Sequence, residues 1–150
     1  MRKPKTNKKV LYSTHYWDAM YKANFYFFAI DSSAEEAMSI INTWMHKNVK
    51  QYRLNKLDIT DISKNNAGGR CIEIIGLGYI IWVGDTNIID YLDTSRHELD
   101  HAIYWLYQSR GVEIDYENSE PHTYYAGLLT RNLVYPVLEK IINSKYKRIK

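Results

Sequence analysis

The stretch Arg96-His97-Glu98-Leu99-Asp100-His101 constrains the fold more than any other part of the 150-residue chain. Residues four apart on an α-helix stand one above the other, so His97 and His101 project from a single face with Glu98 beside the first. Two imidazoles in that arrangement can share one tetrahedral zinc ion, and Glu98 is then placed to take a proton from metal-bound water. The same helix must also present a face to the core. Leu99, Ile103 and Leu106 fall on that face, while Tyr104, Trp105 and Gln108 continue the histidine side. The helix is expected from about Thr94 to Arg110, with Gly111 as its cap. The competing explanation of the spacing is a surface helix whose histidines are merely polar.

A helix of this kind needs a sheet or other helices to bury its apolar side, and the rest of the chain offers both. Phe25-Tyr26-Phe27-Phe28-Ala29-Ile30 reads as a buried strand, preceded by a short strand somewhere in 10–20. Ser33-Ala34-Glu35-Glu36 is a capping box: the serine hydroxyl accepts from the amide three residues on and the glutamate reaches back. The helix it starts, ending near Asn48, sets Ala37, Ile41, Trp44 and Met45 at helical spacing, so one face should pack on the sheet. Residues 50–63 alternate too loosely to assign, and 64–69 are turn-like by composition. Arg70–Ile75 and Tyr79–Val83 read as a hairpin joined by Gly76-Leu77-Gly78. A polar loop, 115–119, leads to a second helix with Pro121 in its first turn and a stripe of Tyr124, Tyr125, Leu128 and Leu129. Pro136 should break or kink it near 132–135, before a last helix at about 136–145.

These elements imply a small α+β domain: a largely antiparallel sheet with packed helices. We divide the chain into a basic arm at 1–9, one domain over 10–145 and a basic tail at 146–150. A 45% hydrophobic and 25% charged composition is that of an ordinary globular protein. The net charge of +3, concentrated at the ends, argues against nucleic acid as the main partner. One cysteine, Cys71, excludes an internal disulfide and a cysteine-rich zinc cluster, and its strand-like setting marks it as a small buried hydrophobe. There is no apolar run of membrane-spanning length and no apolar segment behind the basic N-terminus, so a cytoplasmic location is expected.

A catalytic zinc takes three protein ligands and keeps one position open. Downstream of the histidines the candidates are Asp115, Glu117, Glu120 and His122. Glu120 is preferred, because it opens the helix that must fold back on the histidine helix across a short loop. His122 is its rival, imidazole being an equally good ligand. Tyr124, one turn beyond Glu120, is a candidate to hydrogen-bond a ligand or steady an oxyanion; packing at the helix interface would account for it as well.

His97-Glu98-x-x-His101 followed by Asn118-Ser119-Glu120 resembles the zincin metallopeptidases, and within them the gluzincin branch. Residues Tyr79 to Leu129 also look like small zincin-like proteins encoded by bacteriophages, in which a hairpin leads into the motif helix and a Glu-x-x-x-Tyr helix follows; Glu120 and Tyr124 match that pattern. The resemblance spans roughly residues 70–130. It implies a minimal zincin-like core, Zn²⁺ as cofactor, a peptide or protein substrate, and Tyr79–Val83 as the strand at the cleft edge. The departures are Pro121 directly after the proposed ligand and a chain with little room for a substrate-binding subdomain. Zinc-dependent peptide hydrolysis is therefore one expectation. The other is a zincin-like binding protein, for instance a phage counter-defence or host-interaction factor, that acts by occluding a partner.

Overall fold

In the computed structural model, the structure describes residues 11–62, 68–84, 87–113, 115, 117 and 120–146. The arm at 1–9, the tail beyond 146 and most of the 64–69 turn lie outside them.

The chain is a small α+β fold built on a four-stranded mixed sheet. Strand β1 (Tyr12–Asp18) pairs antiparallel with β2 (Ala23–Ala29). Helix α1 (Ala34–Asn48), helix α2 (Lys50–Leu54) and a 3₁₀ turn (Thr60–Ile62) carry the chain across to the far edge. There β3 (Gly69–Ile74) forms a hairpin with β4 (Gly78–Val83), and β4 inserts beside β2 in parallel. The order is β1-β2-β4-β3, so β1 and β3 are the edge strands and β4 is interior. That corrects the expectation that Tyr79–Val83 borders the cleft: β4 has a neighbour on both sides, and the edge next to it belongs to β3, residues 69–74.

Why the aromatic run of β2 lacks polar alternation is now clear. Phe25, Phe27 and Ala29 join Tyr79, Ile81 and Val83 in one core layer, while Tyr26, Phe28 and Ile30 join Ile80 and Trp82 in another. Both faces of the sheet are covered, so every position must be apolar. Helix α1 covers one face with Ala37, Met38, Ile41 and Met45. It begins where the capping box places it, with Ser33 Oγ accepting from the Glu36 amide at 3.3 Å.

The opposite face is covered by α3 (Ile88–Ser109), α4 (Glu120–Leu129) and α5 (Tyr135–Tyr146). Helix α3 starts six residues before the expected Thr94, because Asn87 Oδ1 accepts the Ile89 amide at 3.1 Å and Tyr91 buries itself in the added turns. Its 22 residues span ~33 Å, enough to run the length of β3 and β4, over which it lies. It ends as expected: Gly111 has φ +65°, and Val112 N–H returns to the Tyr107 carbonyl at 2.9 Å. The expected break or kink near 132–135 falls on an interruption of the α-helical ladder just before Pro136. Residues Thr130–Val134 widen into a π-turn, with Tyr135 N–H bonding Thr130 O, so the ring of Pro136 has room and α4 continues into α5. The Tyr91 hydroxyl donates to the Val134 carbonyl at 2.8 Å and fixes that turn on α3. Among the described residues no helix is long and apolar enough to cross a membrane.

The closest approach in the sheet is at Gly78, where a Cβ would lie 2.1 Å from the Asn24 carbonyl oxygen and φ is +139°. Gly76 also has positive φ, +78°, yet a Cβ there meets nothing within 4 Å. Gly78→Ala should therefore cost about 2–4 kcal/mol in urea unfolding, because β2 and β4 must separate. Gly76→Ala should cost only about 1 kcal/mol, the price of a left-handed alanine. Equal losses would contradict the parallel β2–β4 contact.

Candidate metal centre

Helix α3 divides its residues between core and solvent at the motif. Ser95, Glu98, Leu99, Ala102, Ile103 and Leu106 are buried; His97, His101, Tyr104 and Gln108 are exposed. The two histidines converge on the exposed face. Their Nε2 atoms lie 3.1 Å apart, with ring centroids at 4.7 Å and planes nearly perpendicular. Trp105, one turn further, stacks on the His101 ring at 5.9 Å and limits its rotation.

This donor pair fits a zinc ion. Two zinc–nitrogen bonds of about 2.0–2.1 Å meeting at a tetrahedral angle hold their nitrogens ~3.3 Å apart, close to the separation found between the two Nε2 atoms. Neutral imidazole is a preferred zinc donor, and both rings are accessible from solvent.

Glu98 points elsewhere. It is only 7% exposed and turns toward β3, where the Cys71 backbone N–H donates to its carboxylate. The approach of helix to strand depends on Gly69: a Cβ there would lie 2.6 Å from Thr94 Cγ2 and 3.0 Å from both Cγ and Oε1 of Glu98. Glu98 nevertheless shares with His97 an open cavity of about 350 Å³, whose other walls are Gly68, Gly69, Asp93 and Thr94. Burial raises the Glu98 pKa from its ordinary value, against the lowering effects of His97, His101, the Cys71 amide and Arg70. A carboxylate raised in this way is a better proton acceptor than an exposed one.

The other candidates are dispersed. His122 sits half-buried with Nε2 3.7 Å from Asp100 Oδ1, and Asp100 in turn accepts from Arg96 Nε at 3.1 Å. The Nδ1 of His122 is buried with no hydrogen-bond partner among the described residues. Asp115 and Glu117 are exposed in the connecting loop, where Asp115 Oδ1 accepts the Glu117 amide at 2.9 Å. Glu120 is the first residue of α4, and its side chain lies outside the described residues. Among the described residues no three His, Cys, Asp or Glu side chains are grouped to hold a metal. Tyr124 is 75% exposed on α4, whereas its neighbour Tyr125 is buried against Tyr21 and Tyr107. Cys71 is buried, as expected of a small hydrophobe, and burial holds its thiol well above the usual value.

Two contributors escape a reading of the sequence. Gly69 belongs to a stretch that looks like a plain turn, although a glycine at the start of a strand is a signal of close backbone approach. The Cys71 amide leaves no trace in residue type at all.

The Glu98 environment carries a pH signature in the metal-free protein. Its folded pKa lies above its unfolded value, so folding favours the protonated form, and stability falls as pH rises from the unfolded pKa through the folded one. Glu98→Gln removes that dependence. Thermal unfolding of the variant should exceed wild type by a few degrees at pH 8, with the advantage shrinking toward pH 4. A constant difference across that range would mean the carboxylate is not desolvated. No protein-family model, no characterised protein and no solved structure matches this chain.

Proposed function

We propose that the chain is a zinc-dependent, metallopeptidase-like hydrolase of peptide bonds, acting in the cytoplasm, or in a host's cytoplasm if it is phage-encoded. The observation that carries this reading is the 3.1 Å Nε2 pair of His97 and His101, with His97 sharing an open cavity with the buried Glu98. His97 and His101 would hold the metal with Glu120 as third ligand and His122 as the alternative. Zinc in this position supplies Lewis acidity, lowering the pKa of water and polarising the scissile carbonyl. Glu98 accepts the proton of the attacking water as its oxygen adds to the carbonyl carbon, then returns it to the amine as the C–N bond breaks. The unpaired edge of β3 beside Glu98 offers a place for an extended substrate to add as a further strand.

A second reading is favoured by one observation: Tyr104 and Tyr124 are exposed on α3 and α4. Exposed tyrosines are the side chains that protein interfaces favour. On that reading the fold keeps zinc for structure and works by occluding a protein partner.

Metal analysis of purified protein should give about one zinc per chain, lost on His97→Ala or His101→Ala. Protein that neither carries zinc nor takes it up on titration excludes both readings. Zinc affinity should fall far more in Glu120→Ala than in His122→Ala; the reverse ranking makes the site a three-histidine one. The enzyme and binder readings separate at Glu98→Gln. An enzyme should keep its zinc and lose turnover by a factor of about a hundred or more, whereas a binder keeps its biological effect.

A further inference from the structure

Helix α4 carries the preferred candidate for the third ligand, Glu120, and its rival, His122, in its first turn, and α3 meets that turn at the Pro121 carbonyl and at His122. The Tyr107 hydroxyl donates to Pro121 O at 3.3 Å. Tyr107 lies six residues past His101 on α3 and is 2% exposed. Its ring is seated by Tyr21 at 5.7 Å and Tyr125 at 5.9 Å, and it faces the His122 ring at 6.2 Å. Burial, followed by Tyr21 and the buried Asp18, pushes the Tyr107 hydroxyl up to about 12, so it stays a donor across the physiological range.

Pro121 makes this hydrogen bond more informative than a bond to any other carbonyl would be. The pyrrolidine ring fixes φ of Pro121, and its bulk restricts the backbone of the residue before it. Holding the Pro121 carbonyl therefore constrains the whole Glu120–Pro121 unit rather than a single peptide plane. One residue on, His122 Nε2 lies 3.7 Å from Oδ1 of Asp100, the immediate neighbour of His101.

Building on the zinc reading above, we propose that Tyr107 is a positioning residue for the metal centre: its hydroxyl, through Pro121, sets the first turn of α4 so that the third ligand meets the His97–His101 pair. Without that hydrogen bond the histidines keep their own geometry, because both stand on α3, but the ligand from α4 is no longer fixed.

The test uses the full chain loaded with Co²⁺ as a spectroscopic probe, with Zn²⁺ affinity measured by chelator competition. Wild type, Tyr107→Phe, Glu120→Ala, His122→Ala and His97→Ala are compared, each with its unfolding temperature. Tyr107→Phe keeps the ring and its packing and removes only the hydroxyl. It should bind zinc about tenfold more weakly. Its visible cobalt spectrum should move toward that of whichever α4 variant, Glu120→Ala or His122→Ala, loses the third ligand. A tyrosine with only a structural role would shift the unfolding temperature and leave the cobalt spectrum alone. That result, or wild-type affinity in Tyr107→Phe, overturns the proposal while leaving the histidine pair in place. So does an unchanged spectrum in both α4 variants when His97→Ala abolishes binding. Absence of cobalt and zinc binding in wild type removes the metal reading itself, and this proposal with it.

Discussion

The contact between α3 and the first residues of β3 is the constraint on which the candidate site depends. Helix and edge strand come together only because Gly69 has no side chain, and Glu98 fills the junction by accepting the Cys71 amide. Burying a carboxylate is costly, and His97, His101, the Cys71 amide and Arg70 together offset part of that cost. Once Glu98 is fixed, helical geometry does the rest. His97, its neighbour, opens into the same cavity, and His101 follows one turn later on the solvent side.

The path of the chain puts β3 at one edge of the sheet. The crossover through α1 returns the chain on the far side of the sheet, where the β3–β4 hairpin enters with β4 innermost. Helix α3 leaves from the end of β4 and runs back across both strands of the hairpin. The strand nearest in sequence to the motif helix is therefore interior, and the strand nearest its functional face is the one before.

Much of the architecture was legible locally. The Ser33 cap, the glycine at the end of α3, the doubly buried β2 and the hairpin at residues 70–83 are each encoded in a few adjacent residues, and the structure has all of them. What was not legible is non-local. The order of strands depends on which partner β2 chooses, and nothing in Phe25–Ala29 distinguishes β4 from β3. The early start of α3 turns on whether Asn87 caps a helix or closes a loop, which its side chain can do equally well. The outcome at Pro136 was half legible. The missing amide and the clash with residue 132 were predictable, but their relief by a π-turn held by Tyr91 depends on a helix over forty residues away. For the site, the motif itself was plain from spacing, whereas the Gly69 approach and the Cys71 amide are properties of backbone packing.

Stability and chemistry are unequally shared within the motif. His97 and His101 are exposed and pack against little except each other and Trp105, so the fold asks almost nothing of them. An exposed histidine pair in a helix interior gains no propensity over alanine. Retaining them is thus a cost that packing does not offset. Glu98 is the opposite case, buried where an apolar side chain of similar size would avoid the desolvation that raises its pKa. Three polar residues, each poorer for stability than the obvious replacement, stand within little more than one turn of one helix, and two of them, His97 and Glu98, line one cavity. That is the pattern expected where a fold gives up stability for chemistry.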